Sequence, residues 1–256
     1  MEVPVSTTTD EAGGAAARPP RDTERFFDDN ELVGLYNRFA RSLDAPELPM
    51  NRWLYGHLGS GRRALDVGCG VGRHTAKLAD RYDDVVGVDV APAMIEVAER
   101  DRLRPNIRYQ VRDVLGMTPE HDGRFDLVLA FSCVLHVGPP ELVFGHLRRL
   151  VAKGGTLLAV EVMWEPGWGS RDWQADVAFG MARVVWETVG DLDDVAAALQ
   201  LILSPTWLEV TQDTSVPSTR EDFRRECSAA LPGVTIEEIE VPGSGAFAVS
   251  WRAEDE

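Results

Sequence analysis

The sequence predicts an α/β fold: a doubly wound, mostly parallel seven-stranded sheet with an antiparallel final strand, plus helical lid elements at the N-terminus and after the fifth strand. Two observations predict this class. Short apolar runs alternate with segments of helical periodicity, which is typical of a parallel sheet covered on both faces. The first run ends in three glycines at alternate positions, directly before a helical pattern. A strand–loop–helix start of this kind lies at the carboxyl edge of such a sheet.

Seven segments are predicted as strands from their apolar character: residues 63–67, 85–89, 107–111, 125–130, 156–162, 234–241 and 246–251. Helical patterns follow the first, second and fourth of these, so we expect the first five strands to be parallel. The last two flank a Pro-Gly-Ser-Gly segment at 242–245, which favours an antiparallel hairpin. Thr219 and Asp222 match a capping box, which predicts a helix from there to about Ala230.

Composition excludes several classes of function. The chain has 256 residues, with 26 Lys and Arg against 42 Asp and Glu, so its net charge is −16. A field of this sign repels phosphate backbones and disfavours nucleic-acid binding.

Cys69, Cys133 and Cys227 lack the spacing of a metal site, so we expect reduced thiols in a cytoplasmic protein and no structural zinc. No apolar run approaches the roughly 20 residues of a membrane span, and the first residues lack the pattern of a signal peptide.

Gly68, Gly70 and Gly72 form the loop after the first predicted strand. Without Cβ atoms they let the backbone turn sharply and approach a ligand closely. A dinucleotide loop, Gly-x-Gly-x-x-Gly, would place its third glycine at the position of Arg73. The carboxylate of Asp66, two residues before the loop, would not help a pyrophosphate. It would favour a ligand that carries an ammonium and a sulfonium group.

At these residues the chain resembles the class I S-adenosylmethionine-dependent methyltransferases, whose first motif is an acid-x-Gly-x-Gly-x-Gly loop. The resemblance covers about residues 63–152 motif by motif, and the final hairpin in outline. It implies S-adenosylmethionine as the cofactor. The cofactor-binding residues that it implies are Asp66, Gly68, Cys69, Gly70, Gly72, Asp89, Val90, Met94, Asp113, Val114 and Phe131. Cys69 is expected to contribute its backbone only, and Asp66 could instead cap local backbone N–H groups.

Positions beyond the loop agree with the resemblance. Asp89 ends the second predicted strand, where the family's equivalent acid accepts hydrogen bonds from both ribose hydroxyls. Asp113 follows the third strand, where the family places an acid on the adenine amino group, with Val114 as the apolar neighbour under the ring. Phe131 leaves the fourth strand at the point where the family lines the methionine end.

Methyl transfer from a sulfonium releases a neutral thioether, so alignment and exclusion of water carry much of the catalysis. A base is required only if the acceptor must lose a proton. His136 follows the fourth strand beside the expected methyl position, and an imidazole titrates near neutral pH. It could instead order its loop through hydrogen bonds. Glu161, at the end of the fifth strand, is a second polar group that could face the acceptor. No metal site is predicted.

Departures from other branches of the family narrow the acceptor. Members that methylate amino groups of nucleic-acid bases or of glutamine carry Asn/Asp-Pro-Pro-aromatic after strand four, whereas this chain has Ala-Phe-Ser at 130–132. The acid cluster of the metal-dependent catechol type is absent too. The sequence therefore predicts transfer to an oxygen or nitrogen of a small apolar or aromatic metabolite, with no nucleic-acid or membrane partner. The alternative is a cofactor-binding protein that catalyses a non-methylating reaction or acts as a regulatory module; a dinucleotide oxidoreductase is a third reading.

The chain is predicted to contain one domain after a tail. Residues 1–22, rich in Thr, Ala, Gly and Pro, are expected to be disordered, and residues 23–256 form a single methyltransferase domain. Its parts are N-terminal helices (23–60), a cofactor-binding half (61–163), a helical substrate cap (164–217) and a C-terminal helix with the hairpin (218–256). We expect the N-terminal helices to fold over the carboxyl edge of the sheet as a partial lid.

Five tryptophans occur in the predicted cap: Trp164, Trp168, Trp173, Trp186 and Trp207. They indicate either an apolar surface that lines an acceptor pocket or the cap's own core. The first interpretation favours an apolar or aromatic acceptor.

Overall fold

The computed structural model describes residues 29–163, 170–207, 219–241 and 244–254. Within these residues one sheet is formed by β1 (Gly61–Val67), β2 (Tyr82–Asp89), β3 (Ile107–Val111), β4 (Phe125–Phe131), β5 (Val151–Met163), β6 (Thr235–Val241) and β7 (Ser244–Arg252). The strand order is β3-β2-β1-β4-β5-β7-β6. Strands β1 to β5 are parallel, and β7 runs antiparallel to both β5 and β6. The predicted fold class is confirmed.

The helices that surround the sheet are α1 (Asn30–Ser42), α2 (Pro49–His57), α3 (Arg73–Leu78), α4 (Pro92–Arg102), α5 (Pro119–Asp122), α6 (Val134–Val137), α7 (Pro140–Leu150), α8 (Arg171–Val189), α9 (Leu192–Ile202) and α10 (Arg220–Ala230). Helix α10 begins at the predicted cap, where the Thr219 Oγ1 accepts a hydrogen bond from the Asp222 N–H at 3.0 Å. No described helix is both long and apolar enough to span a bilayer.

The sheet separates two apolar layers. Adjacent residues of a strand point to opposite faces, so Leu65 joins one layer and Ala64 the other. Phe144 of α7 and Phe223 of α10 pack in the first layer, whereas α2, α3 and α4 build the second. Because both faces are covered, the central strands need apolar residues at every position, which is the pattern that their sequences show.

One boundary prediction was wrong. The sequence favours a helix from Glu141 to Ala152 that is closed by Gly154 and Gly155, but α7 ends at Leu150 and β5 begins at once. The pairing of β4 with β5 jumps from Phe125–Val151 to Leu127–Thr156, so the intervening residues form a bulge. A Cβ atom at Gly155 would lie 2.9 Å from the carbonyl oxygen of Ala152. These glycines therefore serve a bulge inside a strand.

Helix α1 lies over the glycine loop at the carboxyl edge. Its Val33 and Ala40 pack against Val71 of the loop and against Met94 of α4. The expectation that an N-terminal helix covers this edge agrees with these contacts. Residues 1–28, which include the predicted tail, lie outside the described residues.

The other side of α1 packs against the cap. Phe39 of α1 shares an apolar cluster with Val185 of α8 and Leu201 of α9, and Trp207 packs against this cluster. Trp186 is instead 51% exposed. The contacts of Trp207 therefore support the interpretation in which the tryptophan belongs to the cap's own core. Residues 164–169, with two further tryptophans, lie outside the described residues.

Candidate cofactor and acceptor site

The glycine loop joins β1 to α3 and holds three residues with positive φ: Gly68 at 60°, Gly70 at 53° and Gly72 at 81°. A Cβ atom at Gly68 would lie 2.6 Å from the Cβ of Cys133, and one at Gly72 would collide with the Tyr109 hydroxyl. Around Gly70 there is more room, since the nearest atom to such a Cβ is a ring carbon of Tyr36 at 3.9 Å. The outer glycines are thus fixed by packing, whereas a Cβ atom at the central one would make only an ordinary contact with the Tyr36 ring.

Asp66 lies beneath the loop. Its residue is 1% exposed, and its Oδ2 accepts a hydrogen bond from the hydroxyl of Thr75 on α3 at 2.6 Å. Burial raises the pKa of Asp66 to about 7, partly offset by the Thr75 hydrogen bond and the charge of Arg73. This hydrogen bond connects β1 to α3. It favours the alternative in which Asp66 stabilises the local structure. Direct contact with a ligand stays a prediction.

Asp89 stands at the carboxyl end of β2, against the loop. Its Oδ2 accepts from the Gly70 N–H at 2.8 Å and its Oδ1 from the Ala91 N–H at 3.0 Å. Burial raises the pKa of Asp89, while the backbone hydrogen bonds lower it. A carboxylate offers about four acceptor positions, so Asp89 keeps acceptor capacity beside its hydrogen bonds to the backbone. The side chain can therefore fix the loop and still accept hydroxyl groups.

The residues after β3 have local roles of their own. The Asp113 Oδ1 accepts from the Leu115 N–H at 2.9 Å and so caps a 3-10 turn at Val114–Gly116. Val114 is buried, and its carbonyl oxygen lies 2.9 Å from the Nε2 of His146. The contact of Asp113 with adenine stays a prediction, since one carboxylate oxygen is occupied by the cap.

Val90 and Met94 differ in their access to the site. Val90 is 44% exposed beside Asp89, so it can meet a ligand directly. Met94 is buried in the cluster between α1 and α4 and supports the loop from behind. Cys69 is also buried, and burial raises the pKa of its thiol well above the usual range. Its backbone N–H donates to the Val88 carbonyl at 3.0 Å, and contact of its backbone with the cofactor stays a prediction.

Phe131, the last residue of β4, and the strained Ser132 after it lie at the carboxyl edge of the sheet. Ser132 has φ 52°, a left-handed conformation that a non-glycine residue adopts only when the surroundings impose it. Its N–H donates to the Val160 carbonyl at 2.6 Å. The Phe131 ring lies 4.2 Å from the His74 ring and 5.3 Å from the guanidinium of Arg73. Phe131 is thereby held between β4 and α3.

The short helix α6 carries His136 and is contacted by Glu161 of β5. His136 lies on α6, half-buried, directly after β4. Glu161 of β5 is buried, and its Oε2 accepts from the Val134 N–H at 2.8 Å, at the start of the same helix. Burial raises the pKa of Glu161 to about 8, and the N–H groups of residues 133–135 oppose that shift. Glu161 thus holds the turn that carries His136. The base role of His136 stays a prediction.

Sequence reasoning missed two residues at this edge. Tyr36 of α1 stands over Gly70, and Arg73 of α3 places an almost buried guanidinium beside the loop, with its side chain 11% exposed. The signal for Arg73 was its position directly after the third glycine. Tyr36 could be found only from the packing of α1. Among the described residues no group of three or more His, Cys, Asp or Glu could hold a metal ion.

Comparison with known proteins agrees with this geometry. Residues 64–155, from β1 to the bulge of β5, match a family described as a methyltransferase domain. An ajmaline N-methyltransferase of Rauvolfia serpentina is 33% identical over 102 residues, which are 38% of this chain and 35% of that protein. A magnesium-protoporphyrin O-methyltransferase of Rhodobacter capsulatus is 39% identical over 84 residues, or 32% of this chain and 37% of the relative. The chain thus spans about a third of these two relatives.

Solved structures show the same fold over most of the chain. An S-adenosylmethionine-dependent methyltransferase of Mesorhizobium loti superposes with a TM-score of 0.52 at 16% identity, covering 80% of this chain and 98% of that one. A TehB-like methyltransferase of Corynebacterium glutamicum gives a TM-score of 0.51 at 16% identity, covering 87% and 97%. Both superpositions cover most of this chain and nearly all of the other one, so the fold is shared.

Proposed function

We propose that this chain, which contains a methyltransferase domain of the class I fold, transfers a methyl group from S-adenosylmethionine to a small-molecule acceptor. The observation that carries the proposal is the loop itself. Three glycines with positive φ sit at the carboxyl edge of a parallel sheet, and the Asp89 carboxylate holds the central one by a 2.8 Å hydrogen bond. Ligands of open α/β sheets bind outside this edge.

The residues present fit the cofactor. Asp89 keeps acceptor capacity for the two ribose hydroxyls, and exposed Val90 beside it offers an apolar surface to the adenine. Gly70 is less crowded than Gly68 and Gly72, where an added Cβ atom would clash, so a ligand can approach the backbone most readily at Gly70. When bound, the cofactor supplies an activated methyl group on a sulfonium. The chain's own contribution is to align the acceptor with that methyl and to exclude water.

His136 is the residue that we propose as base for an acceptor that must lose a proton. Glu161 orients it, because its Oε2 accepts the first N–H of the four-residue helix on which His136 lies. A positioned imidazole would accept the proton of a hydroxyl or phenol as the methyl is transferred. For a neutral amine acceptor, the same geometry would serve alignment alone.

The acceptor that we propose is an apolar or aromatic metabolite with a reactive oxygen or nitrogen. Relatives of the cofactor half are named for ajmaline, for magnesium-protoporphyrin and, in Psychrobacter cryohalolentis, for ubiquinone biosynthesis. The last of these is 31% identical over 42% of this chain and 43% of the relative. The net charge of −16 disfavours nucleic acid as the acceptor. The three cysteines of this chain are buried free thiols. We therefore propose the reducing cytoplasm as the compartment of the protein.

Incubation with methyl-labelled S-adenosylmethionine and a panel of phenols, carboxylic acids and amines tests the proposal. Label in an organic product is the expected result. The activity should survive dialysis against a chelator, since no metal is proposed. Loss of activity that magnesium or zinc restores would contradict the metal-free mechanism. Tight cofactor binding without transfer to any class would favour the alternative, a cofactor-binding module or a non-methylating enzyme.

A further inference from the structure

His74 is the second residue of α3, directly after Arg73, and its side chain is buried. The residue is 7% exposed. Among the described residues, neither its Nδ1 nor its Nε2 has a hydrogen-bond partner. Most buried polar side-chain atoms in proteins have one, and a buried donor or acceptor that is left unpaired is costly. A histidine with two unpaired ring nitrogens beside a binding site therefore points to a bound molecule as their partner.

The surroundings of the His74 imidazole keep it neutral. Burial lowers its pKa well below the usual range, and the charges of Arg73 and Lys77 act in the same direction. A neutral imidazole carries one N–H donor and one acceptor nitrogen. Because His74 takes up a proton poorly, it is suited to binding, in contrast to the base role that we propose for His136. An uncharged hydroxyl, which both donates and accepts, is a matching partner.

Phe131 connects His74 with the acceptor side of the sheet. The two ring centroids are 4.2 Å apart, with 33° between the ring planes. Phe131 ends β4, whereas the proposed ribose and adenine contacts follow β2 and β3, on the other side of β1. His136, the proposed base, follows the same strand as Phe131. The pair of rings therefore lies at the strand end where we expect the methyl group to be transferred.

An apolar surface continues from Phe131 along the carboxyl edge. Its floor contains the small buried residues Ala246 and Ala248, and Val162 and Val241 beside them are only partly buried. Strands β5 and β6 run in the same direction, because β7 is antiparallel to both. Val162 and Val241, near the ends of these strands, therefore lie at the same edge as Phe131. Partly exposed apolar residues beside a floor of small ones offer a surface to a flat apolar molecule.

We propose that His74 recognises the acceptor: its imidazole hydrogen-bonds to a second, uncharged oxygen of an aromatic molecule that lies on Phe131 and the adjoining apolar surface. The inference rests on the proposed function and deepens it, because it names a polar group of the acceptor besides the methylated atom. His136 acts at the reacting atom, and His74 selects molecules that carry the second oxygen. An analogue without that oxygen leaves the ring nitrogens of His74 unpaired, which is an effective basis for discrimination.

Ligand-observed NMR titrations of the protein saturated with S-adenosylhomocysteine test this with six small phenols. Catechol, resorcinol and hydroquinone carry a second hydroxyl, and ortho-, meta- and para-cresol carry a methyl group of similar size at the same positions. In the wild type, at least one diol should bind about three- to tenfold more tightly than its cresol, as expected for a hydrogen bond between neutral groups. His74→Leu should abolish this preference and leave the affinity for S-adenosylhomocysteine unchanged.

Three further variants separate recognition from folding. His74→Phe keeps an aromatic ring against Phe131 but removes both nitrogens, so it should behave like His74→Leu. His74→Gln restores a donor and an acceptor and should recover part of the preference. His121→Leu is the matched control, because His121 is exposed on α5, before β4, and this variant should behave as the wild type.

The outcomes separate this inference from the proposed function. Absence of any diol preference in the wild type, or the same preference in His74→Leu or His74→Phe, would overturn the inference. Unfolding of both variants would also overturn it, because His74 would then serve the structure alone. The proposed function stands after each of these results as long as the wild type binds S-adenosylhomocysteine. A folded wild type that does not bind S-adenosylhomocysteine would overturn the proposed function itself.

Discussion

The cofactor edge and the helical cap are built in different ways. At the edge, acidic side chains accept hydrogen bonds from the backbone: the Gly70 N–H donates to Asp89, and the Val134 N–H donates to Glu161. In the cap, α8 and α9 meet α1 through apolar side chains such as Val185 and Leu201. The edge is therefore specified by a few residues of special conformation or charge, whereas the cap is specified by a surface that many apolar residues could form.

This difference explains where a sequence is informative. A glycine at positive φ or a carboxyl group on a backbone N–H leaves few substitutes, so several such residues at the expected positions together indicate a ligand site. An apolar cap tolerates exchange of side chains of similar volume, so the same pattern is compatible with a pocket or with a core. Variants that affect only one of the two regions can test the division.

The largest effect is expected for His136, on the short helix α6 after β4. If the acceptor is a hydroxyl, His136→Ala should lower kcat by about 10²–10⁴, the usual share of general base catalysis, with cofactor affinity nearly unchanged. Single-turnover rates of the wild type should rise over about pH 6–7, where an imidazole ordinarily loses its proton, and this rise should be absent in the variant. Coinciding pH profiles would remove His136 from the mechanism.

A second variant should affect the edge alone. Asp89→Ala removes the proposed acceptor of the ribose hydroxyls and also releases the Gly70 N–H. We expect S-adenosylmethionine to bind about ten- to hundredfold more weakly, as charge-assisted hydrogen bonds are worth about 1.5–3 kcal/mol. Calorimetry measures the loss, and Asp84→Ala, at the start of the same strand, is a control. Unchanged affinity would refute the ribose assignment.

The edge can be divided further with two glycines. Gly72→Ala combines a φ of 81° with a collision against Tyr109, whereas Gly70→Ala meets no atom closer than 3.9 Å. Both variants carry the cost of a left-handed alanine, about 1–2 kcal/mol, but Gly72→Ala should lose about 1–3 kcal/mol more in urea unfolding. Gly70→Ala should instead stay folded and bind S-adenosylhomocysteine less well. Equal stability of the two variants would contradict the packing role of Gly72.

The smallest effect concerns the pH dependence of stability. The pKa of Glu161 is raised by burial from 4.5 to about 8. The folded state therefore keeps a proton that the unfolded chain releases, so this contribution is complete below about pH 4.5 and is lost as the pH rises through 8. Glu161→Gln should raise the melting temperature by about 2–4 °C at pH 9 for each kcal/mol regained, and much less at pH 5. The same gain in the exposed Glu141→Gln control would argue against burial as the cause.

The sequence predicted the sheet and the loop because their determinants are local. Alternation of apolar runs with helical periods specified seven strands, and Gly68 to Gly72 marked the turn. Inference from neighbouring residues in the sequence failed where a residue's role depends on contacts with distant parts of the chain. The glycines before Thr156 resemble a helix end but serve a bulge against β4. Tyr36 reaches the loop only because α1 folds back across it.

Titration of the wild-type protein with S-adenosylhomocysteine and, separately, with NADH identifies the ligand of the glycine loop. We expect one molecule of S-adenosylhomocysteine to bind per chain with a micromolar Kd, and no heat from NADH. Binding of NADH at the loop, or no binding of S-adenosylhomocysteine by the folded protein, would refute the proposed function.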